Sequence, residues 1–319
     1  MNITLIFTNA PYAVFIVVGL LGLIVGSFLN VVIYRLPIMM KREWRVQCIQ
    51  LLTDEAGNNS NHFWNTRFLK KLGASKRQLR KIFRATSLKP SVPLHNNPFN
   101  LSRPRSHCPH CGHQITVLEN IPIASFIWQR GKCTACHQAI SIRYPLIEAL
   151  SAILAIIIAW HFGFGWQLAF ALVLTWALLA ASIIDFNHQL LPDNITLPLL
   201  WLGLLCNSFG LYTSLEESLI GAIVGYLVLW SVYWLFKLAT GKEGMGYGDF
   251  KLLAMLGAWL GWQAVPMILF ISSLAGAVVG ISLILLRGHD KNVPIPFGPY
   301  LASAGWISLL WGETLTAFF

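Results

Sequence analysis

Apolar residues in this chain gather in long runs, not at the short periods of a soluble helix or strand. A helix needs about 20 such residues to cross a bilayer. Candidate runs fall at 12–34, 146–162, 167–184, 195–212, 218–237, 250–262, 265–286 and 297–318, the shortest near 146 and 250. The pattern predicts an all-α polytopic membrane protein of about eight transmembrane helices, with one sizeable polar insert between the first and second. The expected organisation is a first transmembrane helix (1–36), an insert (37–144) and a membrane-embedded domain (145–319).

Composition agrees with that pattern. The chain is 55% hydrophobic and 11% charged, against about 25% charged in soluble domains. So few polar groups cannot cover a globule, and much of the surface must face lipid. The net charge of +10 is concentrated: of 23 Lys and Arg residues, 18 lie between Arg35 and Arg143. A basic chain invites a nucleic-acid reading, but a basic block beside apolar runs is the positive-inside signal, so no nucleic-acid partner is expected. Positive charge follows the first run (Arg35, Lys41, Arg42) and none precedes it, the reverse of a secretory signal peptide. The N-terminus is therefore expected outside and the insert in the cytosol. Counting onward, the loops at 161–166 and 211–217 fall outside without Lys or Arg. Those at 186–194, 238–249 and 287–296 fall inside, the last two bordered by Lys237, Lys242, Lys251, Arg287 and Lys291. The eighth run returns the C-terminus to the outside. Gly22–Gly26 and Gly221–Gly225 are small-xxx-small pairs expected to pack helices closely.

The insert divides in two. Its first part, 41–106, is basic, with a turn-rich stretch at Asp54–Asn61 and an expected amphipathic helix near Phe63–Phe83. Lys70, Lys71, Arg77, Arg80 and Lys81 on that helix either meet anionic lipid or form a solvated face. The second part, 107–144, carries Cys108-Pro-His-Cys111 and Cys133-Thr-Ala-Cys136. Beside a basic, cytosolic segment such pairs suggest reduced thiols on a metal. Four thiolates suit tetrahedral zinc, and a site filled by four protein ligands is structural, not catalytic. Gly112 and Gly131 are expected to make the knuckle turns; His107, His110, His113 and His137 are competing ligands. A redox pair is the weaker alternative, because no thioredoxin-like βαβ pattern surrounds the cysteines. Cys206 lies in an apolar run and reads as packing.

Acidic residues at the edges of membrane runs are costly and point to function. Asp185 ends the third run, Asp193 precedes the fourth, and Asp249 opens the sixth within Gly246-Tyr-Gly-Asp249-Phe-Lys251. The loop count puts all three at the cytosolic edge, so Asp185 and Asp249 share a depth. Two adjacent carboxylates share a proton, the arrangement that activates water against a peptide carbonyl. Gly246 and Gly248 are expected to leave the backbone bare for an extended substrate. Asp193 and Asp249 equally suit helix N-caps. Asp185 does not, since it sits at a helix C-terminus where the dipole disfavours anions. Gly244-Met-Gly246-Tyr-Gly248 resembles a nucleotide-binding loop only superficially, because no strand precedes it.

These stretches together resemble the bacterial prepilin peptidases, the type IV leader peptidases of the GxGD aspartyl protease group. The matching residues are Gly26-Ser-Phe-Leu-Asn-Val-Val-Ile-Tyr-Arg-Leu-Pro37, both cysteine pairs, Glu119-Asn-Ile-Pro122, Ile140-Ser-Ile-Arg-Tyr-Pro145, Asp185 to Asp193, Gly246 to Lys251 and Pro296-Phe-Gly-Pro-Tyr300. They run in family order over roughly Gly26–Gly305; the insert at about 47–97 is longer and more basic than the family pattern. The resemblance implies that 145–319 is an aspartyl protease domain with catalytic Asp185 and Asp249, supported by Asp193, Gly246, Gly248 and Lys251. It implies cleavage, after a glycine on the cytosolic side, of the basic leader of type IV prepilins and type II secretion pseudopilins. It further implies N-methylation of the new N-terminus from S-adenosylmethionine, for which Glu119 and Glu148 are the candidate amine-holding residues; Glu148 is alternatively a helix-end partner of Arg143. The implied location is the bacterial inner membrane, with both termini periplasmic. Oligomeric state is left open. The rival from another class is a proton-coupled transporter using the edge aspartates as relays. The centres of the runs lack Asp, Glu, Lys and Arg, which counts against it. A tethered zinc module that binds nucleic acid would leave the aspartates unexplained.

Overall fold

The computed structural model describes residues 11–58, 99–242, 244–287 and 296–316. The amphipathic helix expected at Phe63–Phe83 lies outside them, as does most of the loop at 287–296. Among the described residues the secondary structure is helical, with isolated β-bridges and no strand. The helices are α1 (Pro11–Asn58), α2 (Ala124–Trp128), α3 (Arg143–Phe162), α4 (Trp166–His188), α5 (Asp193–Ser208), α6 (Leu215–Thr240), α7 (Tyr247–Leu260), α8 (Ala264–Arg287) and α9 (Gly298–Thr316).

Each of the eight apolar runs lies largely on one of these helices. Among the described residues five helices, α1, α3, α4, α6 and α8, are long and apolar enough to cross a membrane. The first is longer than the sequence suggests, because Pro37 sits inside α1. A proline removes one backbone donor, and no further breaker occurs before Gly57. The helix therefore covers most of the stretch expected to be turn-rich.

The chain divides into two compact units, Met1–Pro37 with His107–Phe319, and Ile38–Ser106. In the second, the Arg42 guanidinium stacks over Phe99 at 4.2 Å. There Asn100 closes a turn, its side-chain oxygen accepting from the N–H groups of Ser102 (2.9 Å) and Arg103 (2.7 Å).

In the first unit, α7 forms the centre. Its 14 residues extend about 21 Å at 1.5 Å per residue, short of the roughly 30 Å hydrocarbon core. Phe250 and every residue from Leu252 to Trp259 are buried, as in a helix enclosed on all sides. α5, α6, α8 and α9 surround it. Gly221 and Gly225 let α6 lie against Gly257 and Leu253 with backbone touching backbone; a Cβ on Gly225 would fall 2.7 Å from the Leu253 carbonyl oxygen. Gly22 and Gly26 do the same for α1 and α3, where their Cβ atoms would fall 2.7 Å from the Cα of Ala152 and Glu148. Both small-residue pairs are packing surfaces, as the sequence predicts.

Ala258 and Trp259 are buried, so the last carbonyls of α7 need protein donors. Asn207 Nδ2 donates to the carbonyls of Ala258 (2.9 Å) and Trp259 (3.1 Å), and the Ser218 hydroxyl donates to Ala258. The opposite end of α7 carries Asp249.

Candidate active site

α4 ends where Gln189 turns left-handed (φ 53°) and its N–H reaches back to the Asp185 carbonyl at 2.7 Å. This turn leaves Asp185 in the last turn of α4, buried. Asp249 lies in the first turn of α7, also buried, behind an extended Gly246. The two carboxylates, 64 positions apart, come from separate helices whose neighbouring residues meet at Leu191. Leu191 links their surroundings: a Cβ on Gly248 would fall 2.7 Å from Leu191 Cβ, and one on Gly298 3.2 Å from Leu191 Cδ1.

The two glycines before Asp249 differ. A Cβ at Gly246 would meet only Asp249 Oδ2, at 3.7 Å, so its backbone is open as expected. At Gly248 the space is filled by Leu191. Gly248 thus lets the α4–α5 loop close on α7, and does not bare the chain to a ligand.

The unfavourable helix-end position of Asp185 has a counterpart missed by the sequence reading. Gly298, the first residue of α9, donates its N–H to Asp185 Oδ2 at 3.0 Å. This N–H, at the positive end of the α9 dipole, offsets the carbonyl end of α4. A Cβ on Gly298 would sit 2.6 Å from Asp185 Oδ2, so only glycine lets α9 come this near. The Pro296–Tyr300 match was the available signal, but sequence alone assigned it no role.

Asp193 and Lys251 do meet: Lys251 Nζ bridges both carboxylate oxygens of Asp193, at 2.8 and 2.7 Å. This exposed pair ties the start of α5 to the first turn of α7. Beyond it, Lys237 Nζ donates to the Tyr233 hydroxyl (3.1 Å), which also receives the Tyr247 hydroxyl (3.3 Å). That cluster supports the Gly246–Asp249 turn from α6, and no motif announced it.

The cysteine module is built differently. Two six-residue knuckles, 108–113 and 133–138, have the same form. In the first, Cys108 N–H donates to the His113 carbonyl and Gly112 N–H to the Cys108 carbonyl, each at 2.9 Å. In the second, Cys133 donates to Gln138 and His137 to Cys133, again at 2.9 Å. The left-handed residue is Gly112 (φ 73°) in one and His137 (φ 56°) in the other. The knuckle turn expected of Gly131 belongs instead to His137, because the residue after the second cysteine must turn. Gly131 follows α2 and donates to the Phe126 carbonyl at 2.8 Å.

All four Sγ atoms lie within 4.8 Å of one another, with Cys108–Cys136 at 3.8 Å and Cys111–Cys133 at 4.0 Å. A tetrahedral ion with bonds of about 2.3 Å requires sulfur separations of about 3.8 Å. The N–H groups of Cys111 and His110 pull the Cys108 thiol down to about 7, and those of Cys136 and Ala135 lower Cys133; against the Gln138 N–H, desolvation and the three neighbouring thiols push Cys136 up to about 12. By its sulfur spacing the donor set fits a metal.

Glu119 joins the knuckles. It accepts from Thr116 N–H (2.8 Å) and Thr116 Oγ1 (2.9 Å), from the Thr134 hydroxyl between the second cysteines, and lies 3.2 Å from His113 Nε2. Chiefly the Thr116 N–H, then the Thr134 and Thr116 hydroxyls, hold its carboxyl down at about 2. Glu148, buried on α3, accepts from Ile123 N–H at 2.9 Å. The two carboxylates lie in different settings, and both are committed to protein donors.

Comparison with known proteins agrees with this architecture. Residues 20–162 match the bacterial peptidase A24 N-terminal domain, and 172–281 match the type IV leader peptidase family. A prepilin leader peptidase/N-methyltransferase of Stutzerimonas stutzeri is 53% identical over 96% of this chain and 94% of its own length. Those of Aeromonas hydrophila and Pseudomonas aeruginosa are 52% and 51% identical over 97% and 96% of this chain, and 94% and 93% of their own lengths. No solved structure matches the chain. Fold and matches together define an enzyme of the membrane-helix peptidase class. The chain belongs to the type IV leader peptidase family.

Proposed function

We propose that the protein is an aspartyl endopeptidase that removes the basic leader of type IV prepilins and pseudopilins at the cytosolic face of the bacterial inner membrane. The observation that carries this reading is the convergence of Asp185 and Asp249, both buried, from separate helices near Leu191. One carboxylate takes a proton from water as the oxygen attacks the scissile carbonyl carbon. The other donates its proton to the departing amide nitrogen as the C–N bond breaks. The Gly298 N–H aims Asp185, and the Lys251–Asp193 pair steadies the turn that presents Asp249. The open Gly246 backbone is the place where an extended substrate strand approaches. Basic loops on one side of eight spans support a cytosolic site with both termini periplasmic.

The cysteine module holds structural zinc on Cys108, Cys111, Cys133 and Cys136, a reading supported by the sulfur spacing. N-methylation of the new N-terminus from S-adenosylmethionine follows cleavage; the relatives' names support it. Glu119 and Glu148 remain the carboxylates proposed to hold the new amine, Glu119 beside Thr116 and Thr134 and Glu148 beside Ile123. The decisive experiment is prepilin processing in membranes carrying Asp185→Asn or Asp249→Asn. Full cleavage by either variant removes the assignment.

A further inference from the structure

We propose that the cysteine module carries a membrane-interface anchor: the segment Val117–Trp128 seats Val117, Leu118, Ile127 and Trp128 in an anionic lipid surface, with Arg130 and Lys132 on the headgroups. The inference rests on the proposed bilayer crossing of α3, and three observations carry it.

The first is an apolar surface on a segment with an inner side of its own. Trp128 is 90% exposed and Val117 87%, and Leu118 and Ile127 are exposed as well. The segment is compact: the one-turn helix Leu118–Asn120 packs on α2, and Ser125 N–H donates to the Ile121 carbonyl at 3.1 Å. Phe126, between the exposed residues, faces inward, 3.1 Å from where a Gly131 Cβ would be. Ile127 and Trp128 are therefore a chosen outer side, not residues of an unfolded stretch.

The second is depth. Ile123, the residue before α2, donates its N–H to Glu148 Oε2 at 2.9 Å. Glu148 lies five residues beyond Arg143, about 7.5 Å along the helix axis. Asn30 Nδ2 on α1 donates to the Tyr144 carbonyl at 3.2 Å. α2 therefore begins beside the first two turns of a helix that enters the bilayer. That is the level of the headgroups, where tryptophan accumulates.

The third is charge. Arg130 and Lys132, both exposed, lie two and four positions after Trp128, and Arg143 opens α3. The acidic group of this stretch, Glu119, is engaged inside the module. Exposed aromatic and aliphatic side chains beside basic ones match an anionic interface. A substrate whose leader is itself basic would be repelled by Arg130 and Lys132.

Full-length protein is reconstituted in phosphatidylcholine vesicles with or without phosphatidylglycerol, with Trp128→p-benzoylphenylalanine as photocrosslinker and prepilin present. The lipid-facing α3 position Ile153, also exposed, is replaced in a parallel sample. The expected product at both positions is a lipid adduct, with position 128 favouring vesicles that contain phosphatidylglycerol. Adding Arg130→Gln and Lys132→Gln lowers the adduct at 128 about tenfold and leaves 153 unchanged. An adduct of 128 with prepilin, with a second copy of the chain, or with nothing, while 153 labels lipid, overturns the anchor. Absence of lipid at 153 overturns the α3 crossing itself.

Discussion

Asp185 and Gly298, which share a hydrogen bond in the aspartate site, stand 113 positions apart, and α7 brings Asp249 toward the same site from the centre of the bundle. The most separated cysteines of the metal module, Cys108 and Cys136, are 28 positions apart, and each knuckle closes on its own backbone. The first site is as rigid as the helices that enclose it. The second has almost no core: around it Cys108 and Cys133 are buried while most neighbours are exposed. A segment too small to bury its own core relies on metal. One site should therefore fail through helix packing or loss of a carboxylate, and the other through loss of its ion, each without the other.

The sharpest separation comes from Asp185→Asn or Asp249→Asn. Each should lower prepilin cleavage by about 10²–10⁴-fold while metal content, measured on the purified protein, stays at wild-type level. The reverse case is Cys108→Ser. Bound zinc should be lost in a chelator titration, with the aspartate site still cleaving substrate; equal loss of cleavage would join the two regions into one machine.

Gly298→Ala tests the bundle more gently. A methyl 2.6 Å from Asp185 Oδ2 must push aside either the carboxylate or α9. Misplacement of this order costs about 10²-fold in rate, read in kcat more than in KM. On the module side, Glu119→Gln should weaken zinc binding about 10–100-fold, as for other groups that orient ligands. The sign follows from its lowered value. Its ordinary carboxyl value of 4.5 falls to about 2 in the fold, so its support is fully present above about 4.5 and is lost as pH falls toward 2. Amide exchange of the module should therefore differ between wild type and variant at neutral pH and converge in acid. The smallest effect is expected of Lys251→Ala, which breaks an exposed pair worth about 1 kcal/mol or less. Thermal stability should barely move.

Much of this molecule was legible before any coordinates. Apolar runs locate helices because a bilayer requires every backbone group to be bonded within its own segment. Paired cysteines announce a metal because two sulfurs from one tight turn reach one ion. Carboxylates at the ends of apolar runs announce a site because lipid makes them costly. All three signals are local, so one strand of letters carries them.

What the letters did not carry was the partner of each group. Gly246 and Gly248 read alike, yet Leu191 fills the space beside one and leaves the other open. Glu119 shows no partner in the sequence and accepts hydrogen bonds from Thr116 and Thr134. His137 makes a turn assigned to Gly131. The α7 run reads like any other apolar run, and the fold makes it the helix that four others enclose. The sequence by itself determined which residues must leave water and which can bind an ion, since both follow from side-chain chemistry and near-neighbour spacing. Tertiary structure alone decided that Gly298 would meet Asp185 and that Asp249 would reach the same place. Those approaches are set by how helices pack, where a single Cβ determines the distance.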